Sequence, residues 1–204
     1  MATIPSSISE PGSGWDAPTL RRLLARYVPT VTPSGAHQPS AVLVPILYPG
    51  AAAGPELLFI VRPTSASSHS GQVAFPGGRI DPEDADATAA ALREAEEELG
   101  IDRTVPEVIG HLDEVVTHTG FHIVPVVALV PAEVALTPAP DEVASTFSWP
   151  LAALADPRHR RTMRGRRVGR GPEVRLHFWP FAPHTIWGAT GQVIDNLLRA
   201  LEAA

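Results

Sequence analysis

From Arg93 the chain reads Arg-Glu-Ala-Glu-Glu-Glu-Leu-Gly, so Glu94, Glu97 and Glu98 stand three and four residues apart. On a helix of 3.6 residues per turn they share one face. Like charges at that spacing cost about 0.2–0.5 kcal/mol per pair, and carboxylates in a last turn oppose the helix dipole by roughly 0.3–1 kcal/mol each. Gly100 is a natural helix terminator, which places these acids at the unfavourable end. A bound divalent cation would offset both costs. Hard ions such as Mg2+ or Mn2+ take carboxylate oxygens and leave positions for water and substrate phosphate. The chemistry available to such a group is hydrolysis at phosphorus, with Glu94 and Glu98 holding the ion and Glu97 close by. Without an ion the same run is a solvated acidic face.

What precedes the acids favours the first reading. Phe75-Pro76-Gly77-Gly78-Arg79 follows an apolar run, and an acidic segment, Asp81 to Asp86, opens the helix. Paired glycines let backbone turn tightly and approach a ligand, which makes the Gly77 carbonyl a further candidate metal ligand. Arg93 can reach Glu97 one turn on and hold it, while Leu92, Ala95 and Leu99 form a separate apolar face for packing.

Gly77-Gly78, a loop, and then Arg-Glu-x-x-Glu-Glu-x-Gly resembles the Nudix box of hydrolases that cut nucleoside diphosphates linked to another group. Arg93 to Ile101 matches position by position. The start departs: counted forward from Gly78 the first acid of the box is Asp84, and counted back from Arg93 it is Ala85. A second resemblance lies upstream. Leu58, Arg62, Gly71 and Phe75-Pro76-Gly77-Gly78 fall in register with a segment of coenzyme A pyrophosphatases, with Ser67 where that subgroup has an arginine. Thr117-His118-Thr119-Gly120-Phe121-His122 and Ile186-Trp187-Gly188-Ala189-Thr190 are similar to segments of the same subgroup.

The resemblance implies a Nudix-type α/β/α sandwich with a mixed sheet over residues 41–204, preceded by a tail and packing helix in residues 1–40. It implies metal-dependent cleavage of coenzyme A, or of another nucleoside diphosphate derivative such as ADP-ribose, NADH or a dinucleotide. The metal set is Glu94, Glu97, Glu98 and Gly77, with Mg2+ or Mn2+ as cofactor. Arg93, Glu97 and Glu142 form the catalytic set, the base being Glu97 or Glu142. Arg62, Phe75, Gly78 and Arg79 are the substrate-contacting expectation. A rival from another class is a nucleotide-binding module without turnover, and an intact carboxylate set argues against it.

The elements that must position these groups are legible in outline. Asp16 is a candidate N-cap for a helix over 17–27, with Leu20, Leu23 and Leu24 on one side. Residues 41–48 and 56–62 read as strands, the first with Pro45 suggesting an edge or a bulge. Residues 105–116 and 123–130 read as further strands, Asp141-Glu142-Val143 as a helical turn, and Gly191 to Glu202 as a final helix. Half of the arginines lie between Pro157 and Arg175, a predicted β-hairpin with Gly165, Gly169 and Gly171.

Composition sets the bounds. The 204 residues are 44% hydrophobic, enough for one core with a terminal extension. Cysteine is absent, so a metal must bind through oxygen or histidine. The net charge is −6 and all sixteen basic residues are arginine. Nucleic acid is not expected as a partner, because aromatic residues do not interleave with the arginines. With no long apolar run and no leader-like start, a cytoplasmic, membrane-free protein is expected, with a homodimer as the assembly to test.

Overall fold

The computed structural model describes residues 14–33, 35–48, 54–63, 71–166 and 173–203. Most of the expected tail, the turn at Gly50, the polar segment with Ser67, and Gly169 and Gly171 lie outside them.

Asp16 caps α1 (Ala17–Arg26), accepting the Thr19 N–H at 2.8 Å. Then follow β1 (Gln38–Leu47), β2 (Glu56–Val61), β3 (Val73–Ala74), β4 (Gly77–Arg79) and α2 (Ala87–Leu99). The expected strand over 105–116 is broken into β5 (Glu107–His111) and β6 (Val115–Val116). The chain continues through β7 (Phe121–Val130), β8 (Ser145–Pro150) and a short α3 (Leu151–Ala155). It ends with β9 (Arg161–Arg166), β10 (Glu173–Phe181), β11 (His184–Ile186) and α4 (Gly188–Ala203).

The main sheet is mixed. β1 runs parallel to β7 from the Gln38–Phe121 pair to the Leu47–Val130 pair, and antiparallel to β4 and β2. β2 pairs with β8 along its whole length, and β5 and β6 lie antiparallel to β7. Pro45 is therefore in a central strand and not at an edge. Its position falls between the β4 register, which ends at Val42, and the β2 register, which begins at Ile46, so neither ladder uses its missing N–H.

Side-chain alternation explains the continuous apolar runs, because both faces of the sheet are covered. Val44, Ile46, Leu57, Phe59, Val127 and Leu129 pack under α1 and α4. On the other face Ala41, Leu43, Val126 and Ala128 meet Ala90, Ala91 and Ala95 of α2, while Leu58 and Ile60 meet Leu99 and Val143. The result is the expected α/β/α sandwich. Three fully buried alanines on α2 let the helix lie close against the sheet, and that approach brings its acids to the glycine pair.

The expected hairpin is present as β9 and β10, and α4 starts three residues before the expected Gly191. Ile186 is buried and the Thr190 hydroxyl donates to the Val73 carbonyl at 3.0 Å, which fixes the start of α4. Trp187 in the same segment is 44% exposed, stacking on Phe178, so it takes no part in the core.

Candidate active site

The acids are held by a helix closed at both ends. Asp86 caps α2 through the Ala89 N–H, and Gly100, at φ 69°, stops it with its own N–H on the Glu96 carbonyl. Two carbonyls left over at this end, those of Glu98 and Leu99, accept from the N–H groups of Ala139 at 2.9 Å and Thr137 at 2.8 Å. The loop that supplies those donors also delivers Glu142. The Glu142 and Val143 N–H groups both donate to the Ala139 carbonyl, a single helical turn as expected, and buried Val143 anchors it against Leu58, Ile60 and Leu99.

The glycine pair makes room. Gly77 has φ 152°, and a Cβ there would lie 2.3 Å from the Ala41 carbonyl oxygen and 2.6 Å from the Val42 Cα. Gly78 instead clears space for an acid, since a Cβ there would lie 2.4 Å from the Glu94 Oε1. No other residue leaves space for that carboxylate.

Glu98 is 1% exposed, and its Oε2 accepts the Gly77 N–H at 2.9 Å. Its Oε1 lies 3.5 Å from the Arg62 guanidinium, which also donates to the Gly77 carbonyl at 3.2 Å. Burial pushes the Glu98 carboxyl up to about 7, against the pull of Arg62 and the Gly77 N–H, with Glu94 and Glu142 adding repulsion. Burial likewise raises Glu94, countered by Arg93 and reinforced by Glu97 and Glu142. Glu94, Glu98 and Glu142 thus feel one another at the end of α2, with Glu97 acting on Glu94 alone.

Arg93 organises the outer side. Its guanidinium grips Asp84 with two hydrogen bonds of 3.0 Å and donates to Glu94 at 3.0 Å, to Glu97 at 2.9 Å and to the Arg79 carbonyl at 3.0 Å. The Asp84 hydrogen bond is foremost in holding this guanidinium's pKa above its ordinary value, and Arg93 holds the Asp84 carboxyl below its own. Arg93 is a positioning residue. Asp84, and not Ala85, is the acid that meets it, and only the extra loop residue hid this in the sequence.

Several expectations change. Phe75, expected at the substrate, is 3% exposed and packs on Phe59 at 5.0 Å, because it ends an inward-facing apolar run. Glu97 is half-exposed and tied to Arg93, one turn away, so it is set apart from buried Glu98. The Gly77 carbonyl, a candidate metal ligand, is directed at Arg62. Arg62 is engaged by Glu98 and Gly77, while Arg79 is exposed and contributes its carbonyl to Arg93. His122 is buried against Glu114 at 2.8 Å and His118 is exposed on its loop. Among the described residues no three His, Asp or Glu side chains are gathered closely enough to enclose an ion by themselves. Arg93 bonds Glu94 and Glu97, and Arg62 faces Glu98. The donor set still fits a hard divalent cation: Glu94 and Glu98 offer only oxygen, and burial makes the Glu98 charge costly even with Arg62 3.5 Å away.

The NUDIX domain family model matches residues 37–167. The chain is 38% identical over 161 residues to the Nudix hydrolase NudL of Escherichia coli K12, covering 79% of this chain and 81% of that protein. It is 37% identical over 183 residues to NudL of Cronobacter sakazakii, covering 88% and 93%. Among solved structures, a MutT/nudix family protein from Enterococcus faecalis superposes with a TM-score of 0.51 over 87% of this chain and 66% of that one. At 15% identity the likeness is one of fold.

Proposed function

The chain belongs to the Nudix hydrolase family, and within it we propose that this member hydrolyses the pyrophosphate bond of coenzyme A or an acylated derivative, giving 3′,5′-ADP and a 4′-phosphopantetheine product. Members of the family act on nucleoside diphosphate derivatives with the help of divalent metal ions. The observation that carries the narrower reading is the junction of Arg62, Gly77 and Glu98. Arg62 belongs to the upstream segment that resembles the coenzyme A subgroup, and its guanidinium reaches both the glycine pair and the buried acid of the box.

Glu94 and Glu98 are the residues that would hold Mg2+ or Mn2+. When bound, the ion neutralises pyrophosphate oxygens and acidifies the attacking water. Arg62 orients Glu98 and stands ready to meet a substrate phosphate oxygen, a role for which the guanidinium fork is well shaped. Arg93 fixes Glu94 between itself and Gly78. Glu142, exposed beside both carboxylates, takes the proton of the attacking water on a carboxylate oxygen; Glu97 is less suited because Arg93 already holds it. Water adds to one phosphorus and the other phosphate departs.

Ser67, in place of the subgroup's arginine, keeps ADP-ribose, NADH and dinucleotides as competing substrates. A binding module without turnover is the less favoured reading, since nothing in binding alone requires a buried carboxylate that costs stability. A cytoplasmic location is part of the proposal; among the described residues no helix is long and apolar enough to cross a membrane. The test is release of 3′,5′-ADP from coenzyme A with each metal, by the wild type and by Glu98→Gln. We expect metal-dependent release that the substitution lowers by at least about a hundredfold. Full activity in Glu98→Gln would overturn the site.

A further inference from the structure

A second cluster of cations lies on the opposite face of the sheet from α2, in a cleft of about 750 Å³ between the β9–β10 hairpin and α4. Arg160, Thr162, Arg164, Arg175, His177 and Arg199 line it. Arg164 and Arg175 are direct partners in the strand register, one opposite the other, and so are Thr162 and His177. Like charges in directly opposed positions of an antiparallel pair destabilise it. Both arginines are exposed, and no acid among the described residues pairs with either.

The acids present are already engaged or marginal. Asp195 accepts from Arg160 at 3.1 Å and Arg199 at 3.1 Å and lies 3.6 Å from His177, and Glu202 is exposed at the rim. Among the described residues, four arginines thus face two carboxylates, in a chain whose net charge is −6. Thr162 and His177, joined at 3.1 Å, give the cleft hydrogen-bonding groups beside the arginine pair.

We infer that this cleft binds a small phosphorylated molecule, with Arg164 and Arg175 gripping one phosphate dianion between them. The cleft has the size of small-molecule sites, about 300–1,000 Å³. Guanidinium groups offer phosphate a fork of parallel donors that a surface ion pair does not need. Arg160 and Arg199, set by Asp195, flank the same space and extend the positive field toward a second anionic group. None of these residues belongs to the α2 site, so ligand held here acts on the enzyme from a distance or tethers it; it does not take part in hydrolysis.

The experiment is calorimetric titration of the full chain with inorganic pyrophosphate in EDTA, which keeps divalent ions from the α2 carboxylates. Wild type, Glu98→Gln and Arg164→Ser/Arg175→Ser are compared, and each is also melted with and without pyrophosphate. We expect wild type and Glu98→Gln to bind alike and the double variant to bind at least tenfold more weakly. Pyrophosphate should raise the melting temperature of the first two alone, while the double variant without ligand melts no lower than wild type, since a repulsive pair has gone. Equal binding in the double variant, absence of binding in wild type at millimolar pyrophosphate, or loss of binding in Glu98→Gln would each overturn the inference.

Discussion

At the scale of single residues, the buried carboxyl of Glu98 costs the metal-free fold stability. Its carboxyl has a folded pKa of about 7 against an ordinary 4.5, so folding takes up a proton between those values. A group whose folded pKa is raised destabilises the fold increasingly as pH rises through that window, and fully above it. In metal-free protein Glu98→Gln should therefore leave stability nearly unchanged below pH 4.5 and raise it by roughly 1–3 kcal/mol at pH 8, measured by urea unfolding. Mn2+ added at pH 8 should stabilise wild type and not the variant. Equal pH profiles would contradict the burial argument. Gly78→Ala tests the neighbour: its Cβ collides with the Glu94 carboxylate, the flexible end of a side chain, so the variant should fold while metal-dependent turnover falls at least tenfold. The run from Arg93 to Gly100 marked Glu94 and Glu98 in the sequence, because acids crowded at a helix end are unfavourable without a compensating charge. Phe75 was misread because a motif position says nothing about which way a side chain points. Arg62 was legible as a cation but not as the partner of Glu98, a contact across 36 residues that no local spacing encodes.

At the scale of elements, the position of α2 against the sheet matters more than the helix itself. Ala90, Ala91 and Ala95 are fully buried, and that small contact surface sets how near Glu94 and Glu98 come to Gly77 and Gly78. Ala91→Leu should overfill the contact, costing about 1–3 kcal/mol by thermal or urea unfolding. It should also lift the acids from the glycine pair, so that kcat falls at least tenfold under conditions where the variant remains folded. Unchanged kcat would mean that the spacing is not set there. Helices and strands followed from periodicity and capping, as with Asp16, whose side chain accepts the N–H three residues on; Asp86 caps α2 in the same way, a role that its acidic segment did not single out. Pro45 misled because a proline rule for edges does not foresee two partner strands meeting end to end beside one central strand. The loop that closes α2 and carries Glu142 has no periodic signal; its hydrogen bonds to the last carbonyls of the helix belong to the tertiary fold.

At the scale of the molecule, one sandwich carries two charged regions on opposite faces, an acidic one at α2 and a basic one at α4. The family sets the chemistry of the first, and the open matter is which nucleoside diphosphate derivative enters it. Arg62, in the segment that resembles the coenzyme A subgroup, contacts Glu98 and the Gly77 carbonyl. Ser67 interrupts the likeness, so Ser67→Arg should raise kcat/KM for coenzyme A more than for ADP-ribose; equal change in both would separate that segment from specificity. The most direct test of the proposed activity is product chromatography after incubating the protein with Mg2+ or Mn2+ and, separately, coenzyme A, ADP-ribose, a diadenosine polyphosphate and NADH. We expect 3′,5′-ADP from coenzyme A at the highest kcat/KM of the four. AMP from ADP-ribose or NADH, with coenzyme A untouched, would contradict it.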